Sequence, residues 1–124
     1  MARPSLEGRS ILIVEDEPLI VMDLTLALEH TGAALTTTNT FKHALLLVEH
    51  DGLAAAILDH ALGDDKSTQL YKRLNERDIP FMIYSGLSTI EGETHGALHI
   101  QKPATHEVLV AAVKELVRRV EDSN

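Results

Sequence analysis

The sequence predicts an α/β domain of five strand–helix units, with a doubly wound, five-stranded parallel sheet covered by helices on both faces. Three observations lead there. Short aliphatic or β-branched runs alternate with segments of helical periodicity along the whole chain. The first, third and fourth of those runs are almost unbroken apolar stretches, as strands buried on both faces require. Glycine, proline and hydroxyl residues stand at the joints between the two kinds of segment.

The first strand is Ile11-Leu12-Ile13-Val14. Pro18 opens the first helix, since its fixed φ suits a first turn, and Gly32 ends it. Within it Ile20, Leu24, Ala27, Leu28 and Thr31 recur every three or four residues and form one stripe. The second strand runs from Ala33 to Thr38, and Thr40 can cap a helix carrying Phe41, Ala44, Leu45 and Val48, with Gly52 after it. The third strand is Leu53 to Leu58. Ser67 or Thr68 can start the third helix, which carries Leu70 and Leu74, and Pro80 keeps it out of the fourth strand, Phe81 to Tyr84. The fifth strand is Ala97 to Gln101, and Pro103 separates it from a final helix striped by Leu109, Ala112, Val113, Leu116, Val117 and Val120. One joint is weak. Between Ser85 and Lys102 stand Gly86, Gly92 and Gly96 with β-branched Thr89 and Ile90, and each glycine costs a helix about 1 kcal/mol relative to alanine. The fourth helix is therefore expected to be shortened or disordered.

Composition narrows the function. At 124 residues the chain suits one domain, 1–124 with an ordered core of about 9–121, and the five units leave no room for a second, output domain. Its 19 acidic against 11 basic residues, with two Tyr, two Phe and no Trp, argue against a nucleic-acid groove, which needs cations and stacking platforms. The absence of Cys excludes disulfides and thiolate metal sites. No apolar run approaches the ~18 residues of a membrane span, and residues 1–10 hold no signal-peptide core. A cytoplasmic protein without a membrane partner is the expectation.

In open α/β sheets the reactive site lies outside the carboxyl ends of the strands. Those ends carry Glu15-Asp16-Glu17, Asp59, Ser85-Gly86 and Lys102-Pro103. Crowded carboxylates raise one another's pKa unless a positive charge sits among them. A hard divalent cation with oxygen ligands, such as Mg2+, fits that need. A carboxylate beside such a cation, a hydroxyl and a Lys can attack phosphorus, with the positive groups neutralising the transferring oxygens. Each residue also has a simpler reading. Acids favour a helix N-terminus, which suffices for Glu17; Asp59 could make an Asx-turn; Ser85 could be a capping hydroxyl; Lys102 could be a solvated lysine. Asp59 directly ends the most apolar strand, and the other three gain weight from their shared position at strand ends.

In this order the constellation resembles the receiver domain of two-component response regulators, a flavodoxin-like fold, over essentially the whole chain. The resemblance implies that Asp59 is the phosphoacceptor and that Ser85 and Lys102 act with it. It implies Mg2+, or Mn2+ in its place, held by Glu15, Asp16, Asp59 and the backbone carbonyl of Ala61. It implies a cis peptide bond at Lys102–Pro103 and a switch built on Ser85 and the residue three before the Lys, here His99. The expected partners are a sensor histidine kinase or a histidine phosphotransfer protein, with an output protein engaged in trans by a monomer or weak dimer. The chain is then not an enzyme beyond its own phosphotransfer and dephosphorylation.

Three departures stand out. Leu62-Gly63 occupies the place where receivers commonly carry Met-Pro, and His99 replaces the usual Tyr or Phe. The span from Ser85 to Lys102 is also about five residues short, roughly one and a half helical turns. The short span and Pro80-Phe81 through Ser85-Gly86 partly resemble a subset of stand-alone receivers tied to stress and phosphorelay signalling. The competing reading is a degenerate receiver that binds a partner without phosphorylation, against which the full set of Asp16, Asp59, Ser85 and Lys102 speaks. An aspartate-nucleophile phosphatase needs its nucleophile after the first strand with a second Asp two residues on, which Glu15-Asp16-Glu17-Pro18 does not supply. A flavin protein needs a Ser/Thr/Gly-rich phosphate loop there, where three acids would repel phosphate.

Overall fold

Buried β-branched and aliphatic runs need backbone partners on both sides, and the chain supplies them by pairing five strands in parallel. The computed structural model describes residues 6–59, 64–86 and 96–122. The strands are β1 (Ser10–Val14), β2 (Ala34–Thr38), β3 (Leu53–Asp59), β4 (Phe81–Ser85) and β5 (Leu98–Gln101). Among the described residues the helices are α1 (Pro18–Glu29), α2 (Phe41–Leu47), α3 (Asp64–Glu76) and α4 (His106–Asp122). The sheet order is β2-β1-β3-β4-β5, every pair parallel, so the doubly wound parallel sheet expected from the alternation is present. The weak segment between Ser85 and Lys102 lies largely outside the described residues.

Alternation along the strands divides the core into two layers. Ile11, Ile13, Ala55, Ile57, Met82 and Tyr84 face α1 and α4, meeting Leu24, Ala27 and Leu28 from one and Leu109, Ala112, Val113 and Leu116 from the other. Leu12, Val14, Ala56, Leu58, Phe81 and Ile83 face α2 and α3, meeting Phe41, Ala44, Leu70, Tyr71 and Leu74. Tyr71 and Phe81 stack with centroids 5.4 Å apart. Of the stripes read from helical periodicity, Leu24, Ala27 and Leu28, Phe41, Ala44 and Val48, Leu70 and Leu74, and Leu109, Ala112, Val113, Leu116 and Val117 are buried, while Ile20 and Leu45 are partly buried.

The joints follow local chemistry. Pro18 occupies the first turn of α1, and Thr40 caps α2 by accepting from the His43 amide at 3.2 Å. Gly32 follows α1 at φ +85, where a Cβ would stand 2.9 Å from the Glu7 Cα. One boundary differs from the sequence reading. The third helix begins at Asp64, three residues before Ser67, so Ser67 lies inside it and is buried. The Ser/Thr cap signal therefore marked the first turn of the helix and not its start.

Candidate functional site

All five strands run the same way, so their carboxyl ends share one rim of the sheet. Glu15 and Asp16 directly follow β1, and Asp59 is the last residue of β3, the strand next to it. The register pairs Asp59 with Tyr84, so Ser85 projects one step further at the same end of β4. Ser85 pairs with Gln101, and the following Lys102 amide donates to the Ser85 carbonyl at 2.7 Å. The Lys102–Pro103 peptide bond is cis.

The side chains converge. Glu15, Asp16 and Asp59 each offer an oxygen, and these three atoms lie within 4.8 Å of one another. Glu15 and Asp59 are buried, 2% and 4% exposed, whereas Asp16 opens to solvent. The Lys102 ammonium donates to Glu15 Oε1 at 2.9 Å and to Asp59 Oδ1 at 3.4 Å. Glu15 Oε2 accepts from the Asp16 and Glu17 amides at 3.1 and 3.2 Å, so one carboxylate ties the loop after β1 to the lysine. A cleft of about 440 Å³ opens beside Glu15 and Asp16, walled by Pro18, Val21, Thr37, Asn39 and His43. The Thr38 hydroxyl and His43 Nδ1 lie 3.0 Å apart on its edge.

The electrostatics follow from crowding in a poorly solvated place. Burial, then the neighbouring Asp59, pushes the Glu15 carboxyl from 4.5 up to about 7, against the opposing pull of Lys102. Burial alone would lower the Lys102 pKa, but the hydrogen bond to Glu15 and the charges of Asp59 and Glu15 outweigh it and hold the pKa above its usual range. Burial raises the Tyr71 hydroxyl to about 12, with the Asp59 charge adding to it. One ammonium facing three carboxylates leaves an excess of negative charge, and the donors are all oxygens. That donor set suits a hard divalent cation such as Mg2+.

Two expected site residues stand differently. Ala61 lies outside the described residues. His99 sits on β5 opposite Ile83, and its Nε2 is buried with no hydrogen-bond partner among the described residues. Its neighbours Leu98 and Ile100 pack toward α1 and α4, so His99 projects to the opposite face of the sheet. The sequence reading missed Tyr84. Its ring lies beneath the Lys102 ammonium, 5.4 Å from centroid to Nζ, and its hydroxyl accepts from the Ala104 amide at 3.1 Å. A tyrosine in a buried strand carries no local signal of such a role.

Comparison with known proteins agrees with this geometry. The family model of the response regulator receiver domain matches residues 11–114. Response regulator SaeR of Staphylococcus epidermidis is 34% identical over 122 residues, covering 92% of this chain and 52% of that protein. Transcriptional regulatory protein PmrA of Pectobacterium parmentieri is 31% identical over 121 residues, covering 92% of this chain and 54% of that protein. The chain thus spans about half the length of these curated relatives. Among solved structures, the BeF3-activated conformation of SdrG from Pseudomonas melonis is 38% identical with a TM-score of 0.74, covering 94% of this chain and 99% of that one. A CheY-like receiver domain protein from Methanospirillum hungatei is 25% identical with a TM-score of 0.82, covering 94% and 98%. Among the described residues no helix is long and apolar enough to cross a membrane. With its sheet order, its acids after β1 and β3 and its lysine after β5, the chain belongs to the response regulator receiver domain family.

Proposed function

We propose that this domain is a phosphorylation-dependent signalling switch in which Asp59 accepts a phosphoryl group from a phosphohistidine of a sensor kinase or phosphotransfer protein. The observation that carries this reading is the cluster itself: three carboxylates within 4.8 Å, with Lys102 reaching Glu15 and Asp59. In the transfer, an Asp59 carboxylate oxygen attacks phosphorus, the phosphorus–nitrogen bond breaks, and the departing imidazole recovers a proton from solvent. The product is an acyl phosphate on Asp59.

Asp16 and Asp59, supported by Glu15, would hold Mg2+ or Mn2+, which when bound neutralises the carboxylates and the transferring phosphoryl oxygens. Lys102 supplies a positive charge beside Asp59, already oriented by Glu15. Ser85, buried at the end of β4, supplies a hydroxyl that can donate to a phosphoryl oxygen. His99 is the side chain on the neighbouring strand that can take up a partner when Ser85 turns, because its buried Nε2 is unpaired among the described residues. Output is then made by a protein that reads the altered β4–β5 surface.

Intact-mass measurement after treatment with a small phosphodonor and Mg2+ tests the reading. The protein should gain one phosphoryl group, and Asp59→Ala should gain none. Labelling that persists in Asp59→Ala would refute the assignment, and an unlabelled wild type that still binds its partner would favour the degenerate receiver.

A further inference from the structure

The geometry points to Tyr84 as the positioning residue for Lys102, its ring face carrying the ammonium and its hydroxyl tying down the loop that follows. The inference rests on the proposed phosphotransfer for its kinetic consequences, but not for its structural ones. Tyr84 is 3% exposed on the α1/α4 face of β4. Phenylalanine would fill that core position nearly as well by volume. Two contacts combine an aromatic face with a hydroxyl, which among the common core residues tyrosine alone offers together. The Lys102 ammonium stands 5.4 Å from the ring centroid, within reach of the negative face of the aromatic quadrupole. The hydroxyl accepts from the amide of Ala104, two residues beyond Lys102.

Together with the Lys102 amide bond to the Ser85 carbonyl, the segment from Lys102 to Ala104 is held at both ends by consecutive residues of β4. A lysine on a four-carbon stem has many rotamers, and freezing it toward an acid cluster needs more than the acids. Carboxylates attract the ammonium from one side only. The ring gives it a second, uncharged surface that does not compete with the phosphoryl group for its protons. Tyr84 thus acts through Lys102 and touches none of the reacting atoms.

Three measurements decide the matter. In metal-free protein, the Lys102 ε-methylene protons should show an upfield ring-current shift by NMR that is kept in Tyr84→Phe and lost in Tyr84→Leu. The Ala104 amide should exchange faster in Tyr84→Phe, which lacks the acceptor. With a small phosphodonor and Mg2+, Tyr84→Leu should slow labelling of Asp59 by about tenfold, the scale of a desolvated cation–π contact. In a Lys102→Ala background the same Tyr84→Leu change should slow labelling no further. An equal slowing in both backgrounds, or a Lys102 shift that survives Tyr84→Leu, would overturn the inference, as would unchanged Ala104 exchange in Tyr84→Phe. If the wild type takes no label, the phosphotransfer reading fails while the ring-current and exchange results still decide the role of Tyr84. If Tyr84→Leu does not fold, Tyr84→Phe alone must keep the shift and lose the amide protection, and failure of either refutes the claim.

Discussion

Glu15→Gln should make the metal-free protein more stable at pH 8, although it removes the carboxylate charge that Lys102 faces at 2.9 Å. A carboxyl whose pKa rises from 4.5 to about 7 on folding disfavours the folded state by about 3 kcal/mol once ionised. Glu15 shares this crowding with Asp59, and the cleft beside it admits water, so about half that amount is the net expectation. The sign follows from proton binding. Between pH 4.5 and about 7 the folded state holds the Glu15 proton more tightly than the unfolded state does, so its stability falls as pH rises through that window. Glutamine has no proton to lose, and its amide oxygen can still accept from Lys102. Urea or thermal unfolding in chelator should therefore give nearly equal stabilities for the two proteins at pH 5. At pH 8 the variant should lead by about 1.5 kcal/mol, or about 5 °C in Tm for a domain of this size. A variant that is less stable at pH 8, or that follows the wild type in parallel from pH 5 to 8, would refute crowding as the state of the metal-free site.

Mg2+ should raise the Tm of the wild type in proportion to the logarithm of its concentration, while Asp59→Asn should raise the metal-free Tm and blunt the Mg2+ response; calorimetry with and without Mg2+ checks both. Gly32→Ala should lose about 1–2 kcal/mol by chemical denaturation, since the backbone is left-handed there and a Cβ would meet Glu7 at 2.9 Å. Leu28→Ala, deleting a fully buried side chain from the α1/α4 layer, should cost about 3 kcal/mol in the same measurement, and phosphodonor labelling at low temperature should persist. Labelling lost together with retained folding would place α1 packing in the chemistry.

The sequence by itself determined the elements and the carboxyl-end residues, because both are written in short-range patterns. Ile11 to Val14 and Leu53 to Leu58 are apolar on both faces, which only a sheet sandwiched between helices tolerates. Leu109, Ala112, Val113, Leu116 and Val117 recur at the helical period, and they are the hydrophobic residues that α4 buries among those described. Glu15, Asp16, Asp59, Ser85 and Lys102 each stand at the end of a legible strand, and parallel strands bring such ends to one rim whatever their distance in sequence.

What only the tertiary structure decided is how those residues touch. Lys102 meets Glu15 across 87 positions of chain, and it meets Tyr84 because β5 lies beside β4 in a particular register. The clasp of Arg73 and Arg77 on Glu49 and Asp51, and the His106–Asp23 pair between α4 and α1, likewise join elements distant in sequence. Local periodicity says which face of a strand or helix is buried. It does not say which buried side chain on a neighbouring strand stands one residue ahead or behind. That offset is set by backbone pairing and by the packing of whole layers, and it decides whether a tyrosine in β4 is filler or a platform for a lysine.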